Sequence, residues 1–334
     1  MRARITMFQA LLTLLGTLLT PVFGSQALAG CPDSSRRETP SDCPWAEVTR
    51  VVEGIEDPNR IREAIETRIP GFLKQLEQDH ETPLLFQLWG MSRNIDESHL
   101  STGRRTVSPA ILKALNSIWN VGYDNDYIHG HAGLTHTYGY LFSNLETPFG
   151  YKRARYARNE IESGFGLPAG LFSGRPAKGT LFSNLTVFAG KIAFRDHEPA
   201  MKLLDEAIGQ IGRTAPAELL SYPYGSLKLR RLVEWTRNDA FTLELRTDIV
   251  SFPKANPAGR NTALLIYSMV YKKDGKDRAR PRLITVFPVD SGFAANLFKA
   301  DGLGERVPFK LKYNASVQGD LNQALLVGRR FIVE

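Results

Sequence analysis

Cysteine is almost absent from this chain: Cys31 and Cys43 are the two it has. A single pair is too few for a disulfide framework or a four-cysteine zinc site. Long apolar runs are missing after the first twenty residues, so no later segment is long enough to span a bilayer. The formal charge is +7, yet no Lys/Arg tract is dense enough to track a nucleic-acid backbone, which excludes nucleic acid as the expected partner. Familiar chemical motifs are lacking too. Gly164-Phe-Gly166-Leu-Pro-Ala-Gly170 has neither the Gly-Lys-Ser/Thr of a phosphate loop nor the spacing of a dinucleotide fingerprint. Ser143 and Ser183 each sit in Phe-Ser-Asn-Leu, not in a Gly-x-Ser-x-Gly elbow.

What the chain does have begins with an export signal, expected over residues 1–29. Arg2 and Arg4 precede the apolar stretch Met7–Leu19, and Ala27-Leu28-Ala29 fits a small-residue cleavage site. Removal of this segment takes Arg2 and Arg4 with it and lowers the charge from +7 to +5. Two exits compete. Cleavage after Ala29 would leave Cys31 and Cys43 to form a disulfide in an oxidising compartment, giving a periplasmic or secreted protein. Alternatively, Leu28-Ala29-Gly30-Cys31 resembles a bacterial lipoprotein box; a lipid on Cys31 would make the protein an outer-membrane lipoprotein and be its one membrane contact. The first reading is favoured, because Pro21–Gln26 separates the apolar core from the box.

The spacing then predicts helices. Asp57-Pro58 has the form of a helix cap with proline in the first turn, followed by Ile61, Ile65 and Ile69. Phe72, Leu73 and Leu76 mark a short helix, and Leu84–Trp89 could be helix or buried strand. Ser108-Pro109 opens a helix with an apolar stripe through Ile111, Leu112, Leu115, Ile118 and Trp119. Glu198-Pro199 opens another, which Gly212 ends. From Leu227 the period turns to two: Leu243 and Leu245 alternate with Glu244 and Arg246, and apolar runs over Ala263–Tyr271 and Arg282–Phe287 flank an Asp274-Gly275 turn. Phe309–Tyr313 and Phe331–Val333 are further strand candidates. The expected class is α+β: helices over the first half, a Gly- and aromatic-rich middle, and a mainly antiparallel C-terminal sheet. A boundary near residues 215–216 would divide 30–215 from 216–334, unless the two form one continuous domain.

One internal echo stands out. Gly139–Gly150 and Gly179–Gly190 match at seven of twelve positions without a gap. A duplicated strand-and-turn unit, paired in one sheet, would account for it.

Chemistry is expected in the stretch Asp124–Arg158. His129, His131 and His136 put three of the six histidines within eight residues, among Gly, Asp and Tyr. In an extended segment His129 and His131 face the same way, and a bend at Gly133 could bring His136 round to them. Three imidazoles with an open position suit a catalytic zinc; otherwise they suit acid–base work, with Asp124 or Asp126 orienting a ring. Lys152, Arg153, Arg155 and Arg158 follow, with guanidinium forks suited to phosphate or carboxylate. Glu146, Glu160 and Glu162 are nearby carboxylates, while His80, His99 and His197 read as surface or capping residues. The expected function is therefore an exported envelope hydrolase: His129, His131, His136 and Asp126 are catalytic, and Lys152, Arg153 and Arg155 hold an anionic or polar small molecule or polymer. The alternative is a non-catalytic envelope protein that binds a ligand or partner.

Overall fold

In this computed structural model the described residues are 43–93, 107–121, 129–143, 146–147, 150–151, 153, 156, 159–237, 241–255, 261–273, 280–298, 315–316 and 328–333. Helices dominate the first part and an antiparallel sheet the last, an α+β architecture. Strands β5 (Leu229–Arg237), β6 (Phe241–Ser251), β7 (Asn261–Lys273), β8 (Arg280–Asp290) and β10 (Gly328–Val333) form one sheet in the order β10-β5-β6-β7-β8. Every pairing in it is antiparallel.

The helices expected after Asp57-Pro58 and Ser108-Pro109 both form, but Asp57 makes a side-chain cap bond and Ser108 makes none. Asp57 accepts from the Asn59 N–H and leads into Pro58–Arg68, whose Ile61 and Ile65 are fully buried. Pro109–Trp119 buries Ile111, Leu112, Leu115 and Trp119 of its predicted stripe, leaves Ile118 half-buried, and ends at Asn120 in the left-handed region (φ 50°). Leu84–Trp89 resolves into a short helix, Pro83–Phe86, followed by a turn. Asp290 accepts from the Phe293 N–H and caps Ser291–Phe298. Phe309–Tyr313 lies outside the described residues.

The internal echo does not produce paired strands. Gly179 turns the chain at φ +67°, where an added Cβ would strike the Asn184 side chain, and Leu181–Ala193 is then a helix. Thr180 and Ser183 close a reciprocal capping box at its start. Every residue of this helix except Lys191 is buried, so it carries no polar stripe from which a helical period could be read. The first copy instead leaves a helical turn and enters the two-residue strands β3 (Glu146–Thr147) and β4 (Gly150–Tyr151).

One apolar core joins the helices to the inner face of the sheet, where Val250, Leu264, Ile266, Leu283 and Val286 meet residues from Trp45 to Leu229. A second cluster, including Leu243, Leu265 and Phe287, occupies the other face under Phe293. The early chain also grips β8 through its backbone: Leu283 N–H donates to Leu88 O (2.6 Å) and Gly90 N–H to Leu283 O (2.9 Å). Gly90 O then accepts from Ala132 N–H (2.7 Å), just past the antiparallel pairing of β1 (Met91–Arg93) with β2 (His129–His131) on one side and β9 (Ala315–Ser316) on the other.

Polar pairing fastens the long helix to the sheet. Arg231 on β5 is 1% exposed and meets buried Asp248 on β6 through two bonds, Nε–Oδ1 at 2.6 Å and Nη2–Oδ2 at 2.9 Å. The same guanidinium reaches Ala193 O and Asp196, at 2.9 Å each, and Arg246 meets Asp196 from the neighbouring strand. Cys43 is fully buried and is not a free thiol; Cys31 lies outside the described residues. Among the described residues no helix is long and apolar enough to cross a membrane.

Candidate functional site

The histidine stretch is built from two short pieces. β2 delivers His131 to the start of a helical turn, Ala132–Leu134, which continues as a π-helical turn over Thr135–Gly139. Gly133 makes this path feasible, since a Cβ there would overlap the Phe182 ring. Side chains bond to carbonyls here: Tyr156 Oη donates to His136 O (2.7 Å) in the π turn, and the Thr137 hydroxyl donates to Gly133 O just before it.

The predicted imidazoles occupy different surroundings. His131 packs edge-on between Phe86 and Trp119, with ring centroids 5.5 Å away in each case. Its Nδ1 accepts from Gly133 N–H (3.2 Å), which leaves the ring proton on Nε2, and the Phe86 backbone supplies a second hydrogen bond. Burial pushes its pKa down to about 4, only partly opposed by the Phe86 bond, so the ring is neutral at pH 7. Both nitrogens are thereby engaged. His136, also buried, bonds through Nδ1 to the Tyr140 hydroxyl, with the two rings edge to face. His129 pairs with Arg93 through the backbone in β2; its side chain, like Asp124, Asp126 and His99, lies outside the described residues. Among the described residues no three His, Cys, Asp or Glu side chains gather as a metal-binding set.

The cation run divides likewise. Arg153 is buried, 2% exposed, and donates to Ser143 O, so its fork serves the protein's own backbone. Lys152, Arg155 and Arg158 lie outside the described residues. Glu160 accepts from Asn261, and Glu162 accepts from Phe172 N–H (2.9 Å), so neither carboxylate turns toward His131 or His136 in these contacts. Burial raises Glu162 to about 7, against the opposing backbone bonds. His80 meets Trp119 O (2.8 Å) and His197 accepts from Ala200 N–H (3.3 Å), both holding helix ends.

A different site emerges from residues far apart in sequence. Phe72–His80, the loop 175–179 and the turn Gly212–Thr214 enclose a cleft of 550 Å³. Lys74, Arg175, Lys178 and Arg213 line it, and no carboxylate, histidine or aromatic ring does. All four cations are exposed, and none pairs with a carboxylate among the described residues. Two buried amides hold the loop beneath them. Gln75 donates to Gly174 O (2.5 Å) and accepts from Leu181 N–H (3.2 Å), bracketing the loop at both ends. Asn184 donates to Lys178 O (2.9 Å) and Leu171 O (2.8 Å). Behind the loop lies Asp79, fully desolvated and raised to about 8 by burial, between Tyr138 and Thr180. It is therefore neutral at pH 7 and subtracts no charge from the cleft.

Sequence reading missed this cleft because its cations span residues 74 to 213 and no local run betrays them. Arg175-Pro-Ala-Lys178-Gly, a basic turn between apolar segments, was the one local signal. Comparison with known proteins adds no relative: no family model, curated protein or solved structure matches the chain.

Proposed function

We propose that this is an exported protein that binds an anionic ligand without transforming it, and that the cleft between Lys74, Arg175, Lys178 and Arg213 is its binding site. The observation that carries this reading is the lining itself: four cations face one concavity with no carboxylate to neutralise them. The lining holds no histidine, acid, serine or cysteine; Lys74, Lys178 and Thr214 have no base beside them in it, which favours holding over turnover. Export and a Cys31–Cys43 bridge remain part of the proposal. The test is calorimetric titration of the purified protein with a panel of small anions at two ionic strengths. Binding that weakens as salt rises is expected; no binding by any anion would reject the reading.

The π-helical turn at His136 favours a second reading, since such distortions recur at functional sites. On that reading the protein is an envelope hydrolase using His129, His131, His136 and Asp126, with Lys152, Arg153 and Arg155 facing the substrate and zinc as the metal. Elemental analysis discriminates. Stoichiometric zinc that disappears in His131→Ala would replace the binding proposal with this one.

A further inference from the structure

Resting on the reading of the cleft as an anion site, we propose that its ligand is a compact, soluble molecule bearing two or more phosphoryl groups, bound without a bridging divalent metal. Charge counting comes first. A monocarboxylate would leave most of the four cations uncompensated, whereas clustered phosphoryl groups place several charges within one small volume. Donor geometry points the same way. Arg175 and Arg213 line the cleft from separate chain segments and carry planar forks that match phosphoryl oxygens bidentately, and Lys74 and Lys178 add point charges to the same lining.

What the lining lacks narrows the class further. No aromatic side chain offers a face for a nucleobase or sugar ring to stack on, so the anionic groups are the part that is recognised. No carboxylate is present to share a magnesium or calcium ion, the usual companion of such ligands in acidic sites. The four cations do the neutralising, and a metal-complexed ligand would arrive with less charge to offer. The volume of 550 Å³ suits a small molecule and not a long polymer. Helix-end donors contribute little, because Leu181 N–H and Ser183 N–H are already taken by Gln75 and Thr180. The positive field thus comes from side chains on a loop that Gln75 and Asn184 hold in shape.

The experiment is calorimetric titration of the full chain with inorganic tripolyphosphate, with and without EDTA, alongside monophosphate, acetate and citrate. Tripolyphosphate should bind tightest and EDTA should leave its affinity unchanged. Arg175→Ala and Arg213→Ala should each weaken it about tenfold, the usual loss for a charged hydrogen-bonding partner. Both side chains are exposed, so unchanged melting temperatures should accompany those losses. Citrate binding tighter than tripolyphosphate, or binding abolished by EDTA, would overturn the proposed ligand class while leaving an anion site in place. Tripolyphosphate binding that ignores both arginine variants would put the site elsewhere and overturn both this inference and the cleft as the binding site, leaving only an anion-binding protein. If none of the anions binds, this inference and the binding function fall together.

Discussion

Tyr138 donates its phenolic hydrogen to Asp79 at 2.6 Å, while the Thr180 hydroxyl approaches the other oxygen of the same carboxyl. The acid is wholly buried and carries a pKa of about 8 in place of 3.8, driven by desolvation that the two hydrogen bonds only partly oppose. The folded state therefore keeps a proton that the unfolded chain has released. Asp79 contributes stability that is full below pH 4 and is lost as pH rises through 8. Glu162 acts in the same direction up to about pH 7. His131 has the opposite sign, with stability gained between about pH 4 and 6.5, so above pH 6.5 only the losses remain. Urea midpoints should fall between pH 6.5 and 8.5. Asp79→Asn, which mimics the protonated acid, should match the parent below about pH 4 and exceed it by a margin that grows until about pH 8; a variant that tracks the parent across that range would contradict the assignment.

Gly133 lies directly against Phe182 of the long buried helix. Gly133→Ala forces its new methyl group into the Phe182 ring and should cost about 1–3 kcal/mol, as overpacking does in a filled core. Chemical denaturation measures it directly. A neutral outcome would mean the Phe182 ring can swing aside.

His131 is wedged between Phe86 and Trp119, so its removal is first a packing loss. His131→Ala should destabilise by about 2–4 kcal/mol, the range for emptied core sites. Ligand affinity at the Lys74–Arg213 cleft should survive in the fraction that stays folded. Equal stability with metal lost would instead favour the hydrolase reading.

Arg231 and Asp248 form a buried pair whose members should not be removed singly. Arg231→Ala strands the Asp248 carboxylate and should cost about 3–5 kcal/mol, whereas Arg231→Met combined with Asp248→Leu should recover most of that loss. A double-mutant cycle on denaturation midpoints supplies the coupling; simple additivity of the two single changes would refute it.

Much of the fold was legible where a segment has one wet and one dry side. Ile61 and Ile65 recur on a helix that keeps a solvent face, and Leu243 and Leu245 alternate with Glu244 along β6. Leu181–Ala193 was misread for the converse reason: burial on all sides erases the period, leaving only a capping box that relies on serine in place of the more usual glutamate. At the candidate site the sequence located His131 and His136 but not their surroundings. Phe86 and Trp119 stand 45 and 12 positions before His131, and their convergence on it is a tertiary fact. The cationic cleft was illegible because each of its three walls looks like ordinary solvated surface when taken alone.

The backbone grip of Leu88 and Gly90 on Leu283 has a bearing on how the molecule is made. That margin of the sheet is gripped at Leu283 by the chain itself, across a separation of roughly two hundred residues, so the grip comes late in folding. Until then β8 offers its unpaired side to any neighbouring copy, an aggregation hazard for newly synthesised molecules. Weakening the Trp89 region should therefore lower the yield of soluble protein more than it lowers the melting point of what survives.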